Sequence, residues 1–357
     1  MPASPATDST GGVPAPGPTD RVLVLAPHPD DESIGAGGLL LAARRAGAAV
    51  RVVFFTSGEN NPWAQRAFER RLILTTRARM AFAGHREGEA LAALAALGVE
   101  PRSVVFLRLP DQGLTHLLLR DPAGVCHRLV QELAGFAPTI LVAPSAADLH
   151  PDHSAAAVLT QLALLSQGGM PPAPTALAFL VHNPGGRRRL PAGLAMPPAD
   201  VVRKRAAILC HASQLIWRRG FLPSFATPRE GYHPFAVPAP GPPHPVAAAE
   251  DEAGALVVEL APRFKARAFG PAALLLLPGS LSHPGLSVPL GGYASVRAVA
   301  DRLTRLPVGR ATVKRRGSAV RVRIEPPLLL GEQRVYLKLE RLFGFFDEAG
   351  WVRFDRP

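Results

Sequence analysis

Short apolar runs, each stopped by proline, glycine or charge, alternate with helix-compatible segments along the first two-thirds of the chain. Val22–Ala26, Ala49–Thr56, Val104–Leu109, Thr139–Ala143 and Ala176–Val181 read as strands. Helical patterns lie between them near Ile34–Ala46, Gln65–Ala83, Glu87–Leu97, Pro122–Ala134 and Ser154–Leu165, and Val201–His211 reads as the last helix. Strands alternating with helices predict βαβ units, hence an α/β fold with a mostly parallel sheet flanked by helices.

The pattern changes after about Phe235. Ala236–Pro245 (AVPAPGPPHP) reads as a stiff proline-rich linker. Beyond it, short β-branched or alternating runs at Leu256–Leu260, Ala272–Leu277, Ser318–Ile324 and Gln333–Leu339 predict a smaller, mainly β accessory module over 246–357. At the other end, 1–20 is rich in Pro, Ala, Gly, Ser and Thr, without the basic and apolar regions of a signal peptide, and is expected to be a disordered leader. The expected division is thus leader 1–20, principal domain 21–235, linker 236–245 and module 246–357.

Composition narrows the chemistry. Of 357 residues, 47% are apolar, enough for a sizeable core. Two distant cysteines, Cys126 and Cys210, give neither a disulfide framework nor a thiolate metal site, which suits a reducing, cytoplasmic setting. No stretch reaches the roughly 20 apolar residues of a spanning helix. The net charge of +12 collects in clusters such as Arg187-Arg188-Arg189, Arg203-Lys204-Arg205 and Lys314-Arg315-Arg316. No nucleic-acid motif or aromatic platform accompanies them, so solvated basic faces are expected rather than a nucleic-acid partner.

Two loops carry the chemistry. The first strand runs directly into Pro27-His28-Pro29-Asp30-Asp31-Glu32, and the fourth leads into Asp148-Leu149-His150-Pro151-Asp152-His153. Ligands of open α/β sheets bind beyond the carboxyl ends of the strands. Imidazoles and carboxylates suit a borderline metal such as zinc. A catalytic zinc site needs about three protein ligands, a carboxylate to accept a proton from water, and a donor for the developing oxyanion. The two loops hold a residue for every role.

These motifs resemble the two signatures of the LmbE-like (PIG-L) family of zinc-dependent N-acetylglucosaminyl deacetylases, whose fold is Rossmann-like. Further likenesses are Thr56-Ser57-Gly58-Glu59, the Arg86-x-x-Glu89 helix ending in Leu-Gly, the turn Leu109-Pro110-Asp111-Gln112-Gly113-Leu114 with Gln112 at a usual glycine, and Lys204, His211, Ser213 and Gln214 on a late helix. The resemblance spans Arg21 to Phe235 and leaves the C-terminal third unexplained. It implies His28, Asp31 and His153 as zinc ligands, Asp30 as general base, and His150 as the group that stabilises the tetrahedral intermediate or protonates the leaving amine. Asp152 is implied as the residue orienting His150. The implied reaction is hydrolysis of an N-acetyl amide of a small amino sugar or glycoconjugate.

Bland readings compete. Asp30 and Asp31 are also good helix caps. His150 and His153 could be solvated loop residues. Arg86 is either a substrate contact or a helix-surface arginine, Asp111 fits a turn better than a catalyst, and Trp63 either stacks on a sugar or simply packs. An amidase acting on another amide, such as a thiol conjugate, has the same ligands. A catalytically silent metal- or carbohydrate-binding protein would have no need of both Asp30 and His150.

Overall fold

The computed structural model describes residues 13, 15–168, 173–183, 191–216, 219–262, 271–281, 283–291, 295–317, 319–325, 329, 331–341 and 343–357. Most of the expected leader, the cluster Arg187-Arg188-Arg189, much of the loop 183–197 and Ser318 lie outside the described residues. The chain forms two compact units, one of Met1–Arg108, Pro138–Ala143 and Pro174–Phe235, the other of Leu109–Ala137, Pro144–Ala173 and Ala236–Pro357.

To residue 235 the elements are β1 (Arg21–Ala26), α1 (Asp31–Ala46), β2 (Ala49–Thr56), α2 (Pro62–Glu69), α3 (Thr76–Ala96), β3 (Val104–Leu109), α4 (Leu114–Arg120), α5 (Pro122–Phe136), β4 (Ile140–Pro144), α6 (Pro151–Ser166), β5 (Thr175–Phe179), β6 (Ala192–Ala195), α7 (Pro198–Leu209), α8 (Ala212–Leu215) and β7 (Arg229–Pro234). The alternation predicted from the sequence is therefore present, an α/β fold built on a parallel-rich sheet. The first unit holds a seven-stranded sheet in the order β3-β2-β1-β4-β5-β7-β6. β1 is its middle, pairing in parallel with β2 from Arg21↔Ala49 to Ala26↔Phe54 and with β4 from Val22↔Ile140 to Val24↔Val142. Because all three run the same way, their carboxyl ends share one edge of the sheet. β1 is buried on both faces, which explains its unbroken apolar run. Val22, Val24, Val52 and Phe54 pack with Leu39 and Leu40 of α1 and with Ala90 and Leu94 of α3.

Some elements differ from expectation. The helices expected at 65–83 and 87–97 are instead α2 and one long α3. The break falls at 70–75, where Arg70 takes a left-handed φ of 52° and the Thr75 side chain caps α3 by accepting from the Ala78 N–H. The short α4, β6 and β7 were not expected. β7 runs antiparallel to both β5 and β6, so the far edge of the sheet is mixed.

The second unit combines α4, α5 and α6 with a nine-stranded sheet, which confirms the mainly β character expected beyond 246. Its strands are β8 (Val246–Glu252), β9 (Ala255–Leu260), β10 (Pro271–Pro278), β11 (Leu286–Pro289), β12 (Val296–Asp301), β13 (Pro307–Arg316), β14 (Ala319–Ile324), β15 (Arg334–Arg341) and β16 (Val352–Asp355). The order is β16-β15-β10-β11-β12-β13-β14-β9-β8, with antiparallel neighbours throughout. The stretch expected as a linker is stitched to this sheet, since Pro245 O accepts from Ala261 N and Pro238 O from Arg353 N. The sheet is also tied to the helices of its own unit. Gly285 N donates to Leu119 O on α4 (2.6 Å), and Trp351 N donates to Ala146 O (3.1 Å). Gly350 has no room for a side chain there, as a Cβ would lie 1.7 Å from Ala146 O.

Candidate active site

The first unit brings His28, Asp30, Asp31 and Arg86 together. His28 N donates to Asp31 Oδ2 (3.0 Å), and that oxygen lies 3.3 Å from His28 Nδ1, so imidazole and buried carboxylate are fixed side by side. Asp30 stands at the N-cap of α1, yet its side chain makes no capping bond, so the capping alternative fails for this residue. Its φ of 131° is a conformation that L-residues rarely adopt and that costs of order 1–3 kcal/mol.

Glu32 and Arg86 hold Asp30 in that conformation. Glu32 Oε2 accepts from Asp30 N (2.9 Å), while Oε1 accepts from Ser33 Oγ (2.6 Å) and meets His211 Nε2 (2.9 Å). The Arg86 guanidinium donates to Gly58 O (2.9 Å) and Pro29 O (2.5 Å), and Nη2 lies 3.4 Å from Asp30 Oδ2. Arg86 is only 3% exposed, so it is not the helix-surface arginine of the bland reading. Burial pushes the Asp30 carboxyl up to about 6. Arg86 opposes the rise, and the neighbouring Asp31 adds to it. Burial alone would lower the pKa of His211, but the Glu32 carboxylate outweighs it and raises the value above 6.5.

The second unit brings His150, Asp152 and His153 together with Asp148, a residue given no task from the sequence. His150 and His153 present ring nitrogens within 4.8 Å of each other, with ring centroids 5.0 Å apart. Both rings are nearly inaccessible, which removes the reading of them as solvated loop residues. Asp148 Oδ1 accepts from His150 N (2.9 Å), and Oδ2 lies 3.3 Å from His153 Nδ1. This is the carboxylate–imidazole arrangement common behind metal-bound histidines. His150 Nδ1 accepts from the Asp152 N–H (3.2 Å). The Asp152 carboxylate, expected to orient His150, accepts from Gln112 N (2.7 Å) and Leu114 N (3.0 Å) and fixes the 109–114 turn. With Nδ1 accepting, the proton of a neutral His150 ring sits on Nε2. The sole sequence signal for Asp148 was its place at the head of DLHPDH.

Other family-like residues brace the first unit. Glu89 accepts from Ser213 N (2.8 Å) and Oγ (2.6 Å), Gln214 Nε2 donates to Ser213 Oγ (2.9 Å), and Asn61 Nδ2 donates to Gln214 Oε1 (3.0 Å). Lys204 is buried and donates to Ile34 O (3.0 Å) and to Glu230. Trp63, for which packing was one expectation, is 66% exposed, with Arg66 lying over its ring at 5.4 Å.

Residues 23–164 match the sequence family PIG-L, described as GlcNAc-PI de-N-acetylase. This stretch is a PIG-L domain. A 1D-myo-inositol 2-acetamido-2-deoxy-alpha-D-glucopyranoside deacetylase of Mycobacterium avium is 33% identical over 152 residues, 38% of this chain; the match spans 48% of that protein. The chain thus spans about half the length of the curated relatives it matches. Among solved structures, N,N'-diacetylchitobiose deacetylase from Pyrococcus horikoshii has 22% identity and a TM-score of 0.47, covering 60% of this chain and 83% of that one. GalB, the 4-carboxy-2-hydroxymuconate hydratase of Pseudomonas putida, has 24% identity and a TM-score of 0.48, covering 58% and 83%. The PIG-L domain includes both HPDDE and HPDH; the sheet of 246–357 lies outside it.

Proposed function

We propose that this chain is a metal-dependent hydrolase that removes the acetyl group from an N-acetylated amino sugar or glycoconjugate. The observation that carries the reading is Asp30. Its backbone is strained, its carboxylate is not spent on capping, and burial lifts its pKa to about 6, close to where a general base works best. The family match and the deacetylase names of the relatives support the substrate class.

We assign His28, Asp31 and His153 as ligands of zinc. The donor set fits such a borderline ion, with imidazoles and a carboxylate and no thiolate. His153 has a carboxylate behind its Nδ1, and the loops that follow the adjacent parallel strands β1 and β4 supply the set. When bound, the metal supplies a Lewis acid that acidifies water and polarises the amide carbonyl. Asp30 takes the proton from the attacking water. The Nε2–H of His150 stabilises the tetrahedral intermediate, and the proton held by Asp30 passes to the leaving nitrogen as the C–N bond breaks, releasing acetate and the free amine. Arg86 is assigned to holding Asp30 and the Pro29 and Gly58 carbonyls rather than to the sugar.

Metal analysis tests the ligands. His28→Ala and His153→Ala should lose the metal that the wild type carries, and His150→Ala should keep it. Metal retained by both of the first two variants would refute the assignment; metal lost from His150→Ala would make His150 a ligand instead of a hydrogen-bond donor to the intermediate.

A further inference from the structure

The corner between α2 and α3 carries side chains that the proposed reaction does not use. Its sequence is Arg70-Arg71-Leu72-Ile73-Leu74-Thr75-Thr76-Arg77. Leu72 is 85% exposed and Ile73 78%, and Met80, early in α3, is 65% exposed. Single apolar side chains are common on protein surfaces. Two adjacent aliphatic residues standing almost wholly in water carry a solvation cost that only contact with a partner removes. Arginine surrounds them. Between 70 and 80 the chain has Arg70, Arg71, Arg77 and Arg79 and no acid. Arg70 and Arg77 are exposed, and among the described residues neither has an acidic partner, while Arg71 lies 4.0 Å from Glu69.

The backbone of this corner is fixed. Arg66 Nε donates to Leu72 O (3.0 Å), and Arg71 N donates to Arg66 O (3.1 Å). Gln65 Nε2 ties α2 to α3 by donating to Ala78 O (2.9 Å). The Phe68 ring lies against those of Phe82 and His85, with centroids 6.3 Å and 4.6 Å away. The fold thus holds the corner in place while the Leu72 and Ile73 side chains stay in water.

Charge decides what covers them. A second copy docked across a two-fold axis would set Arg70 and Arg77 against the same arginines, and like charges repel. An anionic bilayer satisfies both features together. The aliphatic side chains enter the boundary of headgroups and acyl chains, about 5–10 Å deep, and the arginines meet lipid phosphates. Such a surface needs no complementary shape, whereas a stable protein interface takes about 800 Å² per partner.

We propose that the α2–α3 corner is a docking tip for an anionic lipid surface, with Leu72 and Ile73 entering the bilayer and Arg70, Arg71 and Arg77 binding its phosphates. The corner is reached from the carboxyl end of β2, and α3 runs on from it to Arg86 beside Asp30, about 15 Å along the helix. Docking holds the Asp30 end of the first unit near the membrane surface, whichever amide is cleaved.

The test is sedimentation of the full-length chain with vesicles of phosphatidylcholine, alone or with about 30% phosphatidylglycerol. The wild type should partition onto the anionic vesicles at least about tenfold more strongly, and about 0.5 M NaCl should remove most of that difference. Leu72→Ser/Ile73→Ser should weaken partitioning by about tenfold or more, through lost apolar burial. Arg70→Gln/Arg71→Gln/Arg77→Gln should weaken it by about tenfold or more, through lost charge. Both variants replace exposed side chains, so their thermal unfolding should match that of the wild type. A polarity-sensitive dye on Leu72→Cys, in a chain that also carries Cys210→Ser, should shift to the blue on anionic vesicles. A wild type that stays off anionic vesicles overturns the proposal, as does equal partitioning by Leu72→Ser/Ile73→Ser or a dye emission that does not move. A lipid-free oligomer that Leu72→Ser/Ile73→Ser dissolves would also overturn it, assigning the corner to a second copy.

Discussion

Asp30 costs the fold backbone strain and is secured by Glu32 and Arg86. Glu32 accepts its N–H, and Arg86 sits beside its carboxylate. Gly58 keeps the space for that arginine open: it has a φ of 68°, and a Cβ would lie 1.9 Å from Arg86 Nη1. Gly58→Ala should therefore displace Arg86, lower stability by about 1–3 kcal/mol and reduce amide hydrolysis. Urea unfolding and initial rates check this, and a variant equal to wild type in both would contradict the clamp. His211 gives a pH signature. Its pKa is raised on folding, so its contribution to stability is full below about 6.5 and is lost as pH climbs through the raised value. Relative to His211→Gln, the wild type should lose its stability advantage as pH rises from about 6.5 through the raised value; an advantage that stays level would show that the Glu32 contact does not depend on the imidazolium.

At the scale of elements, a buried ion pair locks three of them. Lys204 of α7 pairs with Glu230 of β7, and Glu230 also accepts from Gly38 N (2.8 Å) and Leu39 N (2.9 Å) of α1. Lys204→Met leaves a buried carboxylate without its cation and should cost about 3–5 kcal/mol in denaturant unfolding. A loss below about 1 kcal/mol would mean that the backbone donors and the Tyr232 hydroxyl suffice for Glu230. The legibility of elements followed their burial. β1 and most of β2 were readable because a strand buried on both faces needs an unbroken apolar run, and the half-buried edge strand β3 was readable from its own run Val104-Val105-Phe106-Leu107. β7, with the sequence REGYHP, was not, since its glutamate is buried by pairing with Lys204 rather than by being apolar. The α2–α3 break was missed because it depends on Arg70 in a left-handed conformation and a threonine cap, which hydrophobic periodicity does not register.

At the scale of the whole molecule, both motif loops were legible, whereas their bracing was not. HPDDE and HPDH are contiguous strings. The groups around them, Glu32 to His211 and His150 to Phe345, join residues 179 and 195 positions apart, and only the fold reveals them. The C-terminal sheet was expected to be an accessory module. Compactness groups it with 109–137 and 144–173, so the helices α4, α5 and α6 share a unit with it. A chain truncated after Phe235 should therefore lose the cooperative unfolding transition of the second unit and its amide hydrolysis. A well-folded, fully active 1–235 fragment would show that the sheet is dispensable. The basic balance of the chain is partly neutralised on this sheet, where Arg321 and Arg323 pair with Glu250, Glu252 and Glu259. Among the described residues, no helix is long and apolar enough to cross a membrane.

The central claim is that Asp30 accepts the proton of the attacking water at a metal site. The most direct test is the rate of amine release from an N-acetylated amino sugar by wild type and Asp30→Asn at equal, measured metal occupancy. The account predicts hydrolysis by the wild type and a rate lower by about 10²-fold or more in Asp30→Asn, with metal retained. Equal rates at equal occupancy would contradict it.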